Sequence, residues 1–309
     1  MKHNILGILL VSVMILAGAE QSIRQFHGLK CAVQNWAQSG LWSCLQTVQA
    51  EGRKSTKAAV SAALSGGQTS QDDFRWQGRI AQGNAIEIKG VNGGIRAEGS
   101  TGSEVEVVAV KKSRRSDPNS VRIQVVEHGN GVTICAVYPS SDSKRPNVCG
   151  AGDEGHNSVQ NNDVQVEFVV RVPAGVRFSG HTVNGGVEAT SLGADVEAST
   201  VNGSVHISTT GYAEASTVNG EIVASFGRAD WTRPLEFETV NGSITLNLPA
   251  TTSTRLEAET LNGDITTDFS MTVQGRFSKR HVTGTIGDGG GRDLSLKTVN
   301  GSIQVRRAG

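Results

Sequence analysis

The sequence has no excess of either charge: 29 Lys and Arg balance 29 Asp and Glu over 309 residues. A chain without a basic field lacks the electrostatic footprint of a nucleic-acid binder, or of a protein drawn to an anionic membrane surface. Proline is scarce, at 6, and aromatic residues make up only 5%. That is too few rings for a carbohydrate stacking platform, and Trp231, beside the loop Arg228 to Pro234, is the best single candidate. No Cys-x-x-Cys occurs and no His lies at ligand spacing from a cysteine pair, which argues against zinc. No Gly-x-Ser-x-Gly elbow or phosphate loop appears, so no catalytic residue is assigned. The apolar run Ile5 to Leu16 is too short for a membrane span, which needs ~20 residues. It follows Lys2 and His3 and precedes Ala17-Gly18-Ala19, so residues 1–19 read as an export signal with an A-x-A cleavage site. Glu20 follows where a lipoprotein would have Cys, so contact with a membrane is expected only through this segment, if it stays uncleaved. The expected location is periplasm, cell surface or extracellular space.

What the chain does have is glycine, 38 of them, and a phrase that it repeats. Thr-Val-Asn-Gly stands at 182–185, 200–203, 217–220, 239–242 and 298–301, with Thr-Leu-Asn-Gly at 260–263 and a degenerate copy, His281-Val282-Thr283-Gly284. The steps between copies are 18, 17, 22, 21, 21 and 17 residues. A period near 20 built on a strand-like phrase predicts an all-β solenoid, β-helix-like, with coils of ~17–22 residues. Regular coils begin at about residue 176, within a repeat domain spanning 71–309. On its N-terminal side lie longer antiparallel strands, such as Val121 to Val126 and Val132 to Val137, joined by the turn 127–131. Val91-Asn92-Gly93 is an early copy without its Thr. Residues 20–70 read as a helical or mobile extension and linker.

Aligned on Asn, the copies are aliphatic one residue before and three after, and apolar four and six before. Each coil is therefore two alternating strands joined at Asn-Gly, and equivalent residues should stack ~4.8 Å apart. The expected turn ladder is Asn184, Gly185, Asn202, Gly203, Asn219, Gly220, Asn241, Gly242, Asn262, Gly263, Asn300 and Gly301. Glycine is expected there for positive φ, asparagine for tolerance of it and for amide bonds between copies, and threonine for an outer hydroxyl row. The four cysteines allow three pairings; the local one, Cys31 with Cys44 and Cys135 with Cys149, is the expected set in an oxidising compartment.

These coils and the segment Gly131 to Pro139 resemble the bacterial DUF4097 family, described as candidate adhesins or β-strand repeat proteins. The resemblance covers about residues 74–309. It implies a β-helical fold and an extracytoplasmic location, and it transfers no catalytic residue.

The alignment also exposes an acidic stripe. Five residues before Asn lie Glu197, Glu214, Glu236 and Glu257; three before lie Glu238 and Glu259. Both offsets point away from the core, and like charges on neighbouring strands destabilise unless compensated or solvated. One reading is a divalent-cation site, Ca²⁺ above all, bridging the stripe to an acidic glycan or another cell surface. The plainer reading is a solvated face that blocks sheet pairing, with Arg280 and Lys297 continuing the row above the carboxylates. The expected function is an exported, non-catalytic repeat protein for surface adhesion, glycan binding or envelope scaffolding, with a polysaccharide or cell-surface ligand as partner. The alternative is a glycoside hydrolase or polysaccharide lyase using the same Glu stripe. A third is self-assembly through the edge left by the last coil, against which Arg306 and Arg307 argue.

Overall fold

The structure is a computed structural model that describes residues 73–308 apart from 141, 143, 274–279 and 290–291. The export signal, the 20–70 extension and the Cys31–Cys44 pair lie outside the described residues. The strands before the regular repeats are β1 (Phe74–Gly78), β2 (Ala85–Lys89), β3 (Ile95–Ser100), β4 (Val105–Lys112), β5 (Arg122–His128), β6 (Gly131–Val137) and β7 (Gln165–Pro173). Next come β8 (Arg177–His181), β9 (Val187–Leu192), β10 (Val196–Ser199), β11 (Val205–Thr209), β12 (Ala213–Asn219), β13 (Ile222–Phe226), β14 (Leu235–Asn241) and β15 (Ile244–Leu248). The last are β16 (Thr254–Asn262), β17 (Ile265–Thr267), β18 (Met271–Val273), β19 (His281–Ile286), β20 (Asp293–Asn300) and β21 (Ile303–Arg307).

They form two mixed sheets, neither closed into a barrel. The first runs β1-β4-β7-β3-β9-β11-β13-β15-β21-β17, and the second runs β18-β19-β16-β20-β14-β12-β10-β8-β2-β6-β5. Each repeated phrase sends its strand before Asn to the second sheet and its strand after Gly to the first. Period-two alternation then buries the residues two, four and six before Asn and three and five after. Phe178, Val196, Ala213, Leu235, Phe237, Leu256 and Leu296 come from one sheet, and Val187, Val205, Ile222, Ile244, Leu246 and Ile303 from the other. These belong to one hydrophobic core, where Phe226 meets Phe237 edge-on at 6.1 Å.

The stacking order departs from sequence order. The ladder of asparagines runs Asn92, Asn184, Asn202, Asn219, Asn241, Asn300, Asn262, so the last phrase is threaded between those at 241 and 262. Register agrees: Phe237 pairs with Leu296, and Leu296 pairs with Ala258. The degenerate copy is not a rung. β19 runs antiparallel to β16, with Thr283 opposite Glu257. The last coil therefore leaves no edge for self-assembly, because β20 and β21 each have neighbours on both sides.

Two expectations about the phrase are also overturned. The Thr row faces inward: Thr182, Thr200, Thr217, Thr239, Thr260 and Thr298 are buried, and the aliphatic residue after each points outward. Alternation demands this, since the apolar positions four and six before Asn share parity with Thr. A buried hydroxyl must bond, and each Thr donates to a glycine carbonyl one rung away, as Thr200 does to Gly185 at 2.7 Å and Thr298 to Gly242 at 2.8 Å. Nor is glycine there chiefly for positive φ. Among the rungs only Gly93, at 118°, is well inside that region, with Gly185 and Gly301 at 159° on its margin. The reason is close approach: a Cβ on Gly203, Gly220, Gly242, Gly263 or Gly301 would sit 1.8–2.1 Å from the glycine carbonyl of the neighbouring rung.

Candidate functional site

The predicted acidic residues lie on the outer face of the second sheet, because positions five and three before Asn alternate away from the core. Parallel pairing aligns them in two columns. In one, Glu197 is directly opposite Glu214. Ala215 is opposite Phe237, and that register sets Glu236 beside Glu214; Ser295 then separates Glu236 from Glu257. In the other column Lys297 stands between Glu238 and Glu259, opposite both. The expectation that basic residues lie above the stripe is therefore corrected for Lys297. The threaded last phrase delivers its ammonium between two carboxylates, 4.0 Å from Glu238 Oε1.

Glu214 accepts a hydrogen bond from the Tyr212 hydroxyl at 3.0 Å. Burial first and the Glu197 charge second push its carboxyl from 4.5 up to about 7, against that hydrogen bond and the pull of Arg233. Burial also raises Glu236 and Glu238, with Lys297 opposing in both cases. The loop after β13 closes one side. Arg233 lies over the Tyr212 ring at 4.0 Å and pairs with Asp195 at 2.6 Å, while Arg228 pairs with Asp230. A shallow pocket opens between Asp195, Tyr212, Arg228 and Asp230. Trp231 is not an exposed platform: it is 6% exposed and packs on Phe226 at 5.9 Å, holding that loop to the core.

The same two columns continue to a cluster that sequence reasoning missed. Glu87 and Lys89 stand five and three residues before Asn92, opposite Ser179 and His181. Glu87 is buried, accepts from Thr133 at 2.6 Å and from the Gly152 amide at 3.2 Å, and pairs with Lys89 at 3.3 Å. Lys89 in turn donates to the carbonyls of Gly150, at 2.7 Å, and Gly152. His181 bridges Ser179 at 2.7 Å and Ser199 at 2.6 Å. Counting back from Asn92 as from the later asparagines is the signal that finds this group. The covering loop is held by the Cys135–Cys149 disulfide, with its Cα atoms 5.7 Å apart.

The turn-ladder asparagines lie along one corner, most of them exposed, each amide donating to the next at 2.7–2.9 Å. Among the described residues no three His, Cys, Asp or Glu side chains converge as a metal-binding group. No helix among them is long and apolar enough to cross a membrane.

A family model described as Toastrack DUF4097 matches residues 79–306. No curated protein matches the chain. Solved structures that resemble it include a candidate cell adhesion protein from Clostridium sporogenes, at 10% identity over 77% of this chain and 100% of that one, with a TM-score of 0.41. Candidate adhesins from Bacteroides fragilis and Parabacteroides merdae match at 12% and 11% identity over 77% of this chain and 98% and 96% of theirs, with TM-scores of 0.26 and 0.20.

Proposed function

The chain belongs to the Toastrack DUF4097 family, and from that premise we propose that it is an exported, non-catalytic, β-solenoid-like module that binds a polysaccharide or cell-surface ligand for adhesion or envelope scaffolding. The observation that carries this reading is the outer face of the second sheet, where polar groups repeat in register from Ser179 to Glu257 along neighbouring strands. Repeated groups on an ordered sheet suit a repeating ligand, since many weak contacts sum when they are held at fixed spacing. The stretch Glu197, Glu214, Glu236 is where Ca²⁺ would act. It would supply the positive charge that Lys297 supplies between Glu238 and Glu259, and it would deprotonate Glu214 on binding.

The test is a pull-down of the full chain on insoluble polysaccharides, with calcium or with chelator, assaying each supernatant for released sugar. Retention without release, lowered several-fold by Glu214→Gln with Glu236→Gln, is the expected result. Loss with chelator assigns the calcium bridge, and retention indifferent to both treatments removes the stripe from the binding surface.

One observation favours a second reading, a glycoside hydrolase or polysaccharide lyase. Glu214 holds its proton near neutral pH beside Glu197 on the adjacent strand, and strands lie about 4.8 Å apart, close to the carboxyl separation of retaining glycosidases. Released sugar that disappears in Glu214→Gln would establish it.

A further inference from the structure

We propose that Asn262-Gly263 is a chemical modification site, where the chain deamidates spontaneously to aspartate and isoaspartate far sooner than at the other six rungs of the ladder. All seven rungs carry the Asn-Gly pair, whose glycine offers no side chain to obstruct ring closure. Exposure does not separate them: Asn184, Asn202, Asn219, Asn241, Asn262 and Asn300 are all exposed. What separates them is the glycine amide. Gly93 donates its N–H to Asn184 O at 2.8 Å, and Gly185, Gly203, Gly220, Gly242 and Gly301 donate at 3.0 Å to the asparagine carbonyl of the next rung. Gly263 has no next rung, because β17 is the end of its sheet. Among the described residues its N–H is bonded to nothing. The Asn262 amide is likewise held on one side only: its Nδ2 donates to Asn300 at 2.7 Å, while among the described residues no amide donates to its own Oδ1. At the other end of the ladder Gly93, which follows Asn92, is tied to the Asn184 carbonyl and covered by Val166.

The chemistry needs that free amide. Hydroxide removes the Gly263 proton, and the nitrogen attacks Cγ of Asn262. The N–Cγ bond forms, the Cγ–Nδ2 bond breaks, and the leaving amide takes a proton from water to depart as ammonia. A water molecule then opens the five-membered imide. Cleavage at Cγ gives aspartate, and cleavage at the main-chain carbonyl carbon gives isoaspartate, with one water gained and one ammonia lost overall. In the other rungs the attacking nitrogen must first give up a hydrogen bond inside the sheet, which requires local opening.

The experiment incubates the full-length native protein at mildly alkaline pH and follows each Asn-Gly peptide by mass spectrometry. Asn262 should convert about tenfold faster than any other rung, the order expected from one backbone hydrogen bond. Equal rates along the ladder would overturn the proposal. A parallel incubation in denaturant supplies the second arm: there the rungs should converge, and an Asn262 lead that persists would assign the effect to neighbouring sequence and overturn it too.

Discussion

The carbonyl of Gly220 receives the Thr239 hydroxyl at 3.0 Å and would lie 1.8 Å from a methyl group on Gly242. Thr239→Val keeps the shape and removes the donor, so a buried acceptor goes unpaired and stability should fall by about 1–3 kcal/mol in denaturant titration. Gly242→Ala should cost more, because the obstruction is backbone and the rungs must separate. The inward threonine was legible in the residue parity and was misread because threonine suits outer faces as a type. The crowding at glycine was not legible, since it depends on which carbonyl lies across from it. Glu214 gives a pH prediction with a definite sign. Its folded value is raised from 4.5 to about 7, so the fold binds more protons than the unfolded chain between those values. Stability should therefore fall as pH rises through that window. Glu214→Gln should remove the Glu214 share of this fall, to which the raised Glu236 and Glu238 also contribute, leaving the variant the more stable one at pH above 7 by on the order of 1 kcal/mol. Chemical denaturation at pH 5 and pH 8 checks it.

Among elements, period-two alternation put the apolar positions four and six before Asn and the Glu stripe on opposite faces, with the threonine row the exception, and the pairing of Cys135 with Cys149 followed from their closeness in the chain. Alternation says nothing about which strand lies beside which. Every rung has the same inward set, so β20 is as compatible with β16 as with β14, and only the ladder itself shows that it pairs with both. That one pairing also decided the electrostatics, since it brings Lys297 between Glu238 and Glu259. Ending the chain after Arg292 tests the order. It removes β20 and β21, each of which has a neighbour on both sides, and thermal unfolding by circular dichroism should lose its cooperative transition. A truncated chain that still melted cooperatively would contradict the threaded arrangement. Phe237→Ala, in the core of β14, should cost about 3–5 kcal/mol in the same assay.

Across the described residues as a whole, the covered end and the open end differ. At the covered end the disulfide closes a loop across 14 residues and holds the Gly150 and Gly152 carbonyls on Lys89. Replacing both cysteines with alanine should lower stability by about 3 kcal/mol on the chain-entropy account, read as a lower melting temperature. The Glu87 cluster beneath that loop is not visible from the regular copies alone, because the positions five and three before Asn carry it only when the count starts from the early copy Val91-Asn92-Gly93. The threaded rung has a last consequence, for timing. Asn241 and Asn300 are 59 residues apart in the chain yet adjacent in the ladder. A chain emerging from its N-terminus can zip the rungs from Asn92 to Asn241 as they appear, but the slot between β14 and β16 must wait for β20, which is made after both. Until then two strand edges face each other across a gap one strand wide. A second copy's β20, arriving first, would be the natural misfit.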